Sequence, residues 1–216
     1  MNKALPTDTN EVLKNTRRFE ENELRKVLYK VARQKRESGD IRDAIKIILL
    51  GWNWRSYAGS DISNEQINQQ IEKFIKSQEQ LIEYFVNSDQ TLETIEFDRG
   101  VGGTPIDEHI INGFNELLEN KAIGTTGASK AFHMLYPTVF MMWDKAITEE
   151  YHREGEPLHW ESGANRGEHK RGEGECYVNF LKETQQFVET TLDMDRFRGK
   201  TPAKVMDEYN YAKYTL

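Results

Sequence analysis

The sequence contains a single cysteine, Cys176, among its 216 residues. One thiol cannot form an internal disulfide, and chains without disulfides are typical of reducing compartments. The first 21 residues, MNKALPTDTNEVLKNTRRFEE, contain no continuous apolar run of the kind found in a secretory signal. The apolar run AIKIILLGW is too short to cross a bilayer. We therefore expect a cytoplasmic protein without membrane partners.

Several signatures of known chemistry are also missing. The glycine-rich segment RGVGGTP, residues 99–105, lacks the lysine of the phosphate-binding loop GxxxxGK[ST], and the sequence contains no GxSxG nucleophile elbow. Zinc ligands in short segments usually come in pairs two to five residues apart. The spacings between His152, His159, His169 and Cys176 are seven, ten and seven residues. We expect neither a metal nor a cofactor.

The sequence also lacks any long stretch with the alternating pattern of a strand. Apolar residues instead recur at intervals of three and four, as in the segments 10–38, 41–52 and 64–86. This pattern predicts an all-α protein, with two helical lobes at about 10–100 and 105–216 and a cleft between them. The segment 154–175 has five glycines and few apolar residues, so we expect a flexible surface loop there.

Charge is unevenly distributed along the chain, whose formal net charge is -7. Residues 14–36 contain nine basic side chains and three glutamates, so this segment carries +6 and the remainder -13. An acidic protein does not attract nucleic acid through its mean field, but a local basic face can. The alternative interpretation of this segment is a solvated helix with mixed charges.

The stretch KAIGTTGASKAFHMLYPTVFMMWDKAI, residues 121–147, contains the main candidate site. We predict a glycine turn at 124–127 between two short helices, the second beginning at Ala128. Amides at the start of that helix favour a phosphate. Lys130 lies among apolar residues, where shielding lowers the pKa of an amine and makes it nucleophilic. Asp144 follows an apolar run. In the alternative interpretation Asp144 only caps the next helix, and Lys130 extends to solvent.

This hairpin, with a lysine after the turn and an aspartate before the next helix, resembles the helix-hairpin-helix DNA glycosylases. The resemblance implies that Lys130 attacks the sugar C1′, that Asp144 assists, and that the base is flipped into a pocket between two lobes. The backbone phosphates would be held by Gly124, Thr125, Gly127 and Ser129. The expected pocket residues are Trp52, Trp54, Arg55, His133 and Trp143.

Two alternatives remain open at this point. The chain could be a non-catalytic helical protein that holds a partner through the basic segment 14–36 or through the loop 154–175. It could also hold a small molecule between its lobes. The aromatic group around Arg55 could stack a base, or it could be the packed rim of a core.

Overall fold

The computed structural model describes residues 5–23, 26–52, 63–119, 123–152 and 173–216. Within these ranges the fold is all-α, as predicted, apart from a hairpin of two-residue strands and one 3-10 turn at Met194–Arg196. The helices are α1 (Thr9–Asn22), α2 (Lys26–Glu37), α3 (Ile41–Trp52), α4 (Asn64–Ser77), α5 (Glu79–Val86), α6 (Ile106–Leu118), α7 (Gly124–Leu135), α8 (Lys145–His152), α9 (Glu173–Thr191) and α10 (Pro202–Tyr214). None of these helices is long and apolar enough to span a membrane.

Side-chain caps begin several helices where the sequence offers them. The Asp8 carboxylate accepts the Glu11 amide at the start of α1. Ser63 and Gln66 form a complete capping box at the start of α4, as Ser63 leads one to expect. Thr201 caps α10, whose first residue is a proline with no amide hydrogen to satisfy. Local chemistry therefore fixes these boundaries.

Two predicted helices are interrupted in the structure. The N-terminal one ends at Asn22, because the buried Glu23 adopts an extended backbone and its amide bonds back to Phe19. The helix predicted from 64 to 86 breaks at Gln78, which is 2 % exposed. Its apolar stripe continues across the break, so the spacing of apolar residues gave no sign of it.

Two glycine-rich segments also differ from expectation. Residues 99–105 form a hairpin of β1 (Gly100–Val101) and β2 (Thr104–Pro105), and its two turn glycines have positive φ values of 61° and 90°. Residues 173–175, predicted as the end of the loop, belong to α9, which begins at Glu173, and residues 154–172 lie outside the described residues. A Cβ at Gly174 would lie 2.8 Å from the Ile111 carbonyl oxygen, so this glycine permits close helix packing.

Helix α7 lies at the centre of the fold. Ten of its twelve residues are buried, and it contacts α2, α3 and α6. Its Phe132 ring packs edge-on against Phe74 and Phe140. Contacts of α3 with α7 and of α4 with α6 cross the predicted boundary between lobes. Helix α10 packs against α1 and α8, which places it over the segment that carries Asp144.

Candidate functional site

Lys130 and Asp144, fourteen residues apart in sequence, line the same cavity of about 640 Å³. We refer to it as the α7–α10 cavity. Its walls come from α1, α7, α8, α10 and the segment before α8. The lining residues are Phe19, Thr126, Lys130, Met142, Asp144, Lys145, Ala146, Ile147, Lys204, Asp207, Glu208, Tyr211 and Thr215.

Lys130 is only 6 % exposed, which is unusual for a lysine. It follows Ala128 and Ser129 on the central helix and precedes Ala131 and Phe132, all of them fully buried. The helix therefore holds the stem of this side chain in the protein interior.

Asp144 is held by two hydrogen bonds. Its Oδ1 accepts the Ile147 amide at 3.0 Å and caps α8, which confirms the capping interpretation of this residue. Its Oδ2 accepts the hydroxyl of Thr215 at 2.8 Å. The carboxylate therefore has a fixed orientation at the wall of the cavity, set from α8 on one side and from the end of α10 on the other.

Asp207 is a further carboxyl at the cavity, beside Asp144 and Glu208, and no local sequence pattern pointed to it. It is 5 % exposed, and its Oδ1 accepts the Met142 amide at 2.7 Å. Burial raises the pKa of Asp207 to about 8, against the opposing effects of Lys204 and the Met142 amide. In the sequence MDEYNY this residue is indistinguishable from a solvated position on a helix.

His133 was predicted to line the pocket, but it is fully buried and is not among the cavity-lining residues. Its Nδ1 lies 2.6 Å from the Phe140 carbonyl oxygen, and its Nε2 lies 2.8 Å from the Tyr29 hydroxyl. Since a carbonyl only accepts, Nδ1 carries the hydrogen and Nε2 accepts from the tyrosine. Burial lowers the pKa of His133 to about 3, so the ring is neutral.

Trp143 was predicted to stack a base, but only 1 % of it is exposed. Its ring stacks on Phe180 in the core, with centroids 5.5 Å apart. Of the other predicted aromatic and basic pocket residues, Trp52 ends α3, while Trp54 and Arg55 lie outside the described residues. The rings that line the cavity are instead Phe19 and Tyr211, which meet edge to face at 5.8 Å.

The predicted phosphate contacts of Ser129 and Gly127 do not fit the structure. Ser129 is fully buried, and its hydroxyl oxygen accepts the Trp143 amide at 2.8 Å. A Cβ at Gly127 would lie 2.8 Å from Ile123 and 3.3 Å from Leu49, so this glycine lets α7 approach its neighbours closely. Both residues serve packing.

The predicted turn at 124–127 is the first turn of α7, and only Gly124 has a positive φ, +59°. Thr125 is 7 % exposed and donates its hydroxyl to the Glu173 carboxylate at 2.8 Å. A carboxylate near a helix N-terminus suits the helix dipole and repels a phosphate. The Glu173 carboxylate therefore lies beside the position predicted for a phosphate, and its charge opposes an anion there.

Other reactive groups offer no second centre in the part of the chain described. Three or more histidine, cysteine or acidic residues are nowhere grouped there as metal ligands would be. Burial raises the pKa of the Cys176 thiol to about 11, so its nucleophilic thiolate form is scarce.

Comparisons with known proteins add no relative to this picture. The chain matches no family model, no curated protein and no solved structure. Any functional assignment therefore depends on the chemistry of the α7–α10 cavity.

Proposed function

We propose that this chain is a DNA-acting enzyme of the base-excision type, an N-glycosylase with lyase activity, in which Lys130 is the nucleophile and Asp144 assists. The observation that carries the proposal is the position of a buried lysine and an oriented aspartate on the same cavity. A volume of about 640 Å³ lies within the range of small-molecule sites. A flipped nucleoside is a ligand of suitable size.

The chemistry assigned to the pair follows from its surroundings. The neutral form of an amine has the lone pair required to attack an electrophilic carbon such as the sugar C1′. Positive charge develops on the sugar as the base departs. The Asp144 carboxylate, oriented by Ile147 and Thr215, would stabilise that charge.

Exposed cations near the cavity support an approach by DNA in spite of the acidic total. Arg17 and Arg18 are exposed on α1 and directly precede Phe19, which lines the cavity. Lys145 is exposed at the start of α8 and also lines it. Contacts between these cations and phosphates would make binding weaken steeply with added salt.

Borohydride trapping on a duplex that contains one abasic site tests this proposal. The reagent reduces an imine between Lys130 and C1′ to a stable protein–DNA crosslink. We expect a crosslink with the wild type and none with Lys130→Ala. The matched control is Lys76→Ala, which removes an exposed lysine of α4. Absence of a crosslink with the wild type, or its persistence in Lys130→Ala, would remove the basis for the assignment.

A non-catalytic binding protein is the second candidate, and one observation favours it. Both carboxylate oxygens of Asp144 already accept hydrogen bonds within the chain, as in a purely structural cap. On this alternative, the cavity holds a ligand without covalent chemistry. Lys130→Ala would then change affinity, measured by fluorescence anisotropy with labelled DNA, while no variant would form a crosslink.

A further inference from the structure

Asp207 has one carboxyl oxygen with no hydrogen-bond partner among the described residues. Oδ1 accepts the Met142 amide at 2.7 Å, whereas Oδ2 is buried without such a partner. An unpaired buried oxygen is unfavourable, and native structures retain such groups chiefly where they serve a function or meet a ligand. Asp207 lines the same cavity as Lys130 and Asp144.

His133 does not satisfy this oxygen, although its Nδ1 lies only 3.3 Å from Oδ2. The hydrogen on Nδ1 is directed to the Phe140 carbonyl oxygen at the shorter distance of 2.6 Å. Nε2 is occupied by the Tyr29 hydroxyl. The imidazole therefore has no free lone pair with which to take a proton from Asp207, and a proton on the carboxyl stays there.

The charged and titratable groups around Asp207 come from five helices and one connecting segment. Burial raises the pKa of Asp207 to about 8, Glu208 raises it further, and Lys204 and the Met142 amide lower it. Because Oδ1 faces an amide donor, the proton resides on Oδ2. The groups that face Asp207 or share its cavity are Tyr29 of α2, Lys130 and His133 of α7, Asp144, Lys145 of α8, Tyr177 of α9, and Lys204, Glu208 and Tyr211 of α10.

We propose that Asp207 is a further catalytic residue of the α7–α10 cavity, the acid that protonates the group that leaves when Lys130 forms its covalent bond. This inference rests on the proposed function. At an abasic site, the Lys130 amine adds to the C1′ aldehyde and forms a C–N bond in a carbinolamine. Asp207 then gives its proton to the carbinolamine hydroxyl. The C–O bond breaks, water leaves with the electron pair, and a protonated imine and the Asp207 carboxylate remain.

The substitution Asp207→Asn tests this role. The amide oxygen of asparagine can still accept the Met142 amide, but the side chain has no acidic proton. We would measure single-turnover rates of borohydride trapping on abasic duplex from pH 5 to pH 10. General acid catalysis contributes about 10²- to 10⁴-fold. We therefore expect the wild-type rate to fall as the pH rises through about 8, where Asp207 ionises. Asp207→Asn should react about 100-fold more slowly at pH 6 and lack that fall.

Two further variants separate an acid role from a structural one. Asp207→Glu restores a carboxylic acid and should recover part of the rate together with the falling limb of the pH profile. Asp195→Asn, in the exposed 3-10 turn, should leave the profile unchanged. If Asp207→Asn does not fold, as judged by circular dichroism, the wild-type ¹³C carboxyl titration of Asp207 decides. Titration near 8 supports the acid role, and titration below 5 overturns it.

The outcomes distinguish this inference from the proposed function. A Lys130-dependent crosslink whose pH profile is the same in Asp207→Asn overturns the role of Asp207 and leaves Lys130 in place. A uniform loss of rate at every pH, with the falling limb retained, also overturns it. Absence of any Lys130-dependent crosslink in the wild type overturns both.

Discussion

The buried polar side chains on the two sides of α7 have different surroundings. On one side, Ser129 bonds to the backbone of Trp143, and His133 bonds to the Phe140 carbonyl oxygen and to the hydroxyl of Tyr29. On the other side, Lys130 lines a cavity that Asp144, Asp207 and Glu208 also line. The first side is filled by protein, and the second encloses empty volume.

This difference separates residues that maintain the fold from residues available for chemistry. Ser129 and His133 have protein partners for their side-chain polar atoms, which stabilises the core. Asp207 retains a buried oxygen with no hydrogen-bond partner among the described residues, and it lines the same cavity as Lys130. Such groups commonly lower stability and persist where function requires them. The four predictions below test the contrast from the largest expected effect to the smallest.

The largest effect is expected from Lys130→Met, which replaces the amine by an apolar chain of similar length. Loss of a nucleophile should lower the rate of crosslinking at least about a thousandfold. Methionine fills about the same volume as the lysine stem, so the melting temperature should not fall by more than a few degrees. Crosslinking kinetics and thermal melts measure the two effects, with Lys76→Met as the exposed control. A large loss of stability in Lys130→Met would show that this lysine maintains the fold, as Ser129 and His133 do.

The second effect is a pH-dependent gain of stability in Asp207→Asn. The folded pKa of about 8 lies above the ordinary value of 3.8, so the folded state binds an extra proton between these values. The Asp207 carboxyl therefore makes its full contribution to the free energy of unfolding of the wild type below pH 4. This contribution is lost as the pH rises through 8, by at most about 1.4 kcal/mol per pH unit. The asparagine variant lacks that loss. Urea unfolding at pH 4, 6 and 8 should show an advantage of the variant that grows with pH.

The titration of His133 changes the free energy of unfolding with pH in the opposite direction to that of Asp207. The variant must therefore be compared with the wild type at each pH. The folded pKa of His133, about 3, lies below 6.5, so protonation of the unfolded state destabilises the protein as the pH falls from 6.5 to 3. This contribution is shared by both proteins and cancels in the difference. A constant difference between Asp207→Asn and the wild type would contradict a raised pKa for Asp207.

The third effect concerns the filled side of the helix. Ser129→Ala removes the acceptor of the Trp143 amide and leaves that amide buried without its partner. We expect a loss of about 1–3 kcal/mol in the free energy of unfolding. Each kcal/mol corresponds to about 2–4 °C in melting temperature for a chain of this size. Thr126→Ala, on the cavity side, should change stability by less than about 0.5 kcal/mol. Equal losses of stability in the two variants would contradict the difference between the two sides of α7.

The smallest effect is expected from Thr215→Val, which removes the hydroxyl that bonds Asp144 Oδ2. Because this contact orients the carboxylate but leaves its charge intact, we expect crosslinking to slow by at most about tenfold, or 1.4 kcal/mol. Thr215 is exposed, so stability should hardly change. Thr215→Ser should restore the rate, and failure of this rescue would argue against an orienting hydrogen bond.

Local sequence patterns predicted the helices and part of the site. The spacing of apolar residues identifies the helical segments, and Ser63 and Asp144 occupy cap positions that short-range chemistry explains. Lys130 was conspicuous because a lysine is rare in so apolar a segment. Each of these signals is contained within a few residues of the chain.

The rest of the site depends on contacts that local patterns do not encode. Ten of the twelve residues of α7 are buried, so periodicity could not show which side faces the cavity. Ser129 and His133 were therefore assigned to the site although they bond within the core. Asp207 meets Met142 across 65 residues, and only tertiary packing brings them together. Glu173 accepts a hydrogen bond from Thr125 across 48 residues, and this carboxylate beside the predicted phosphate position was also not visible in the local pattern.

The position of the covalent bond on the protein tests the central claim most directly. After borohydride trapping on abasic duplex, nuclease and protease digestion followed by tandem mass spectrometry locates the sugar remnant on one lysine. We predict a single modified residue, Lys130, at every pH at which crosslinking occurs. Modification of Lys145 or Lys204, which line the same cavity, or of surface lysines at random, would contradict the account.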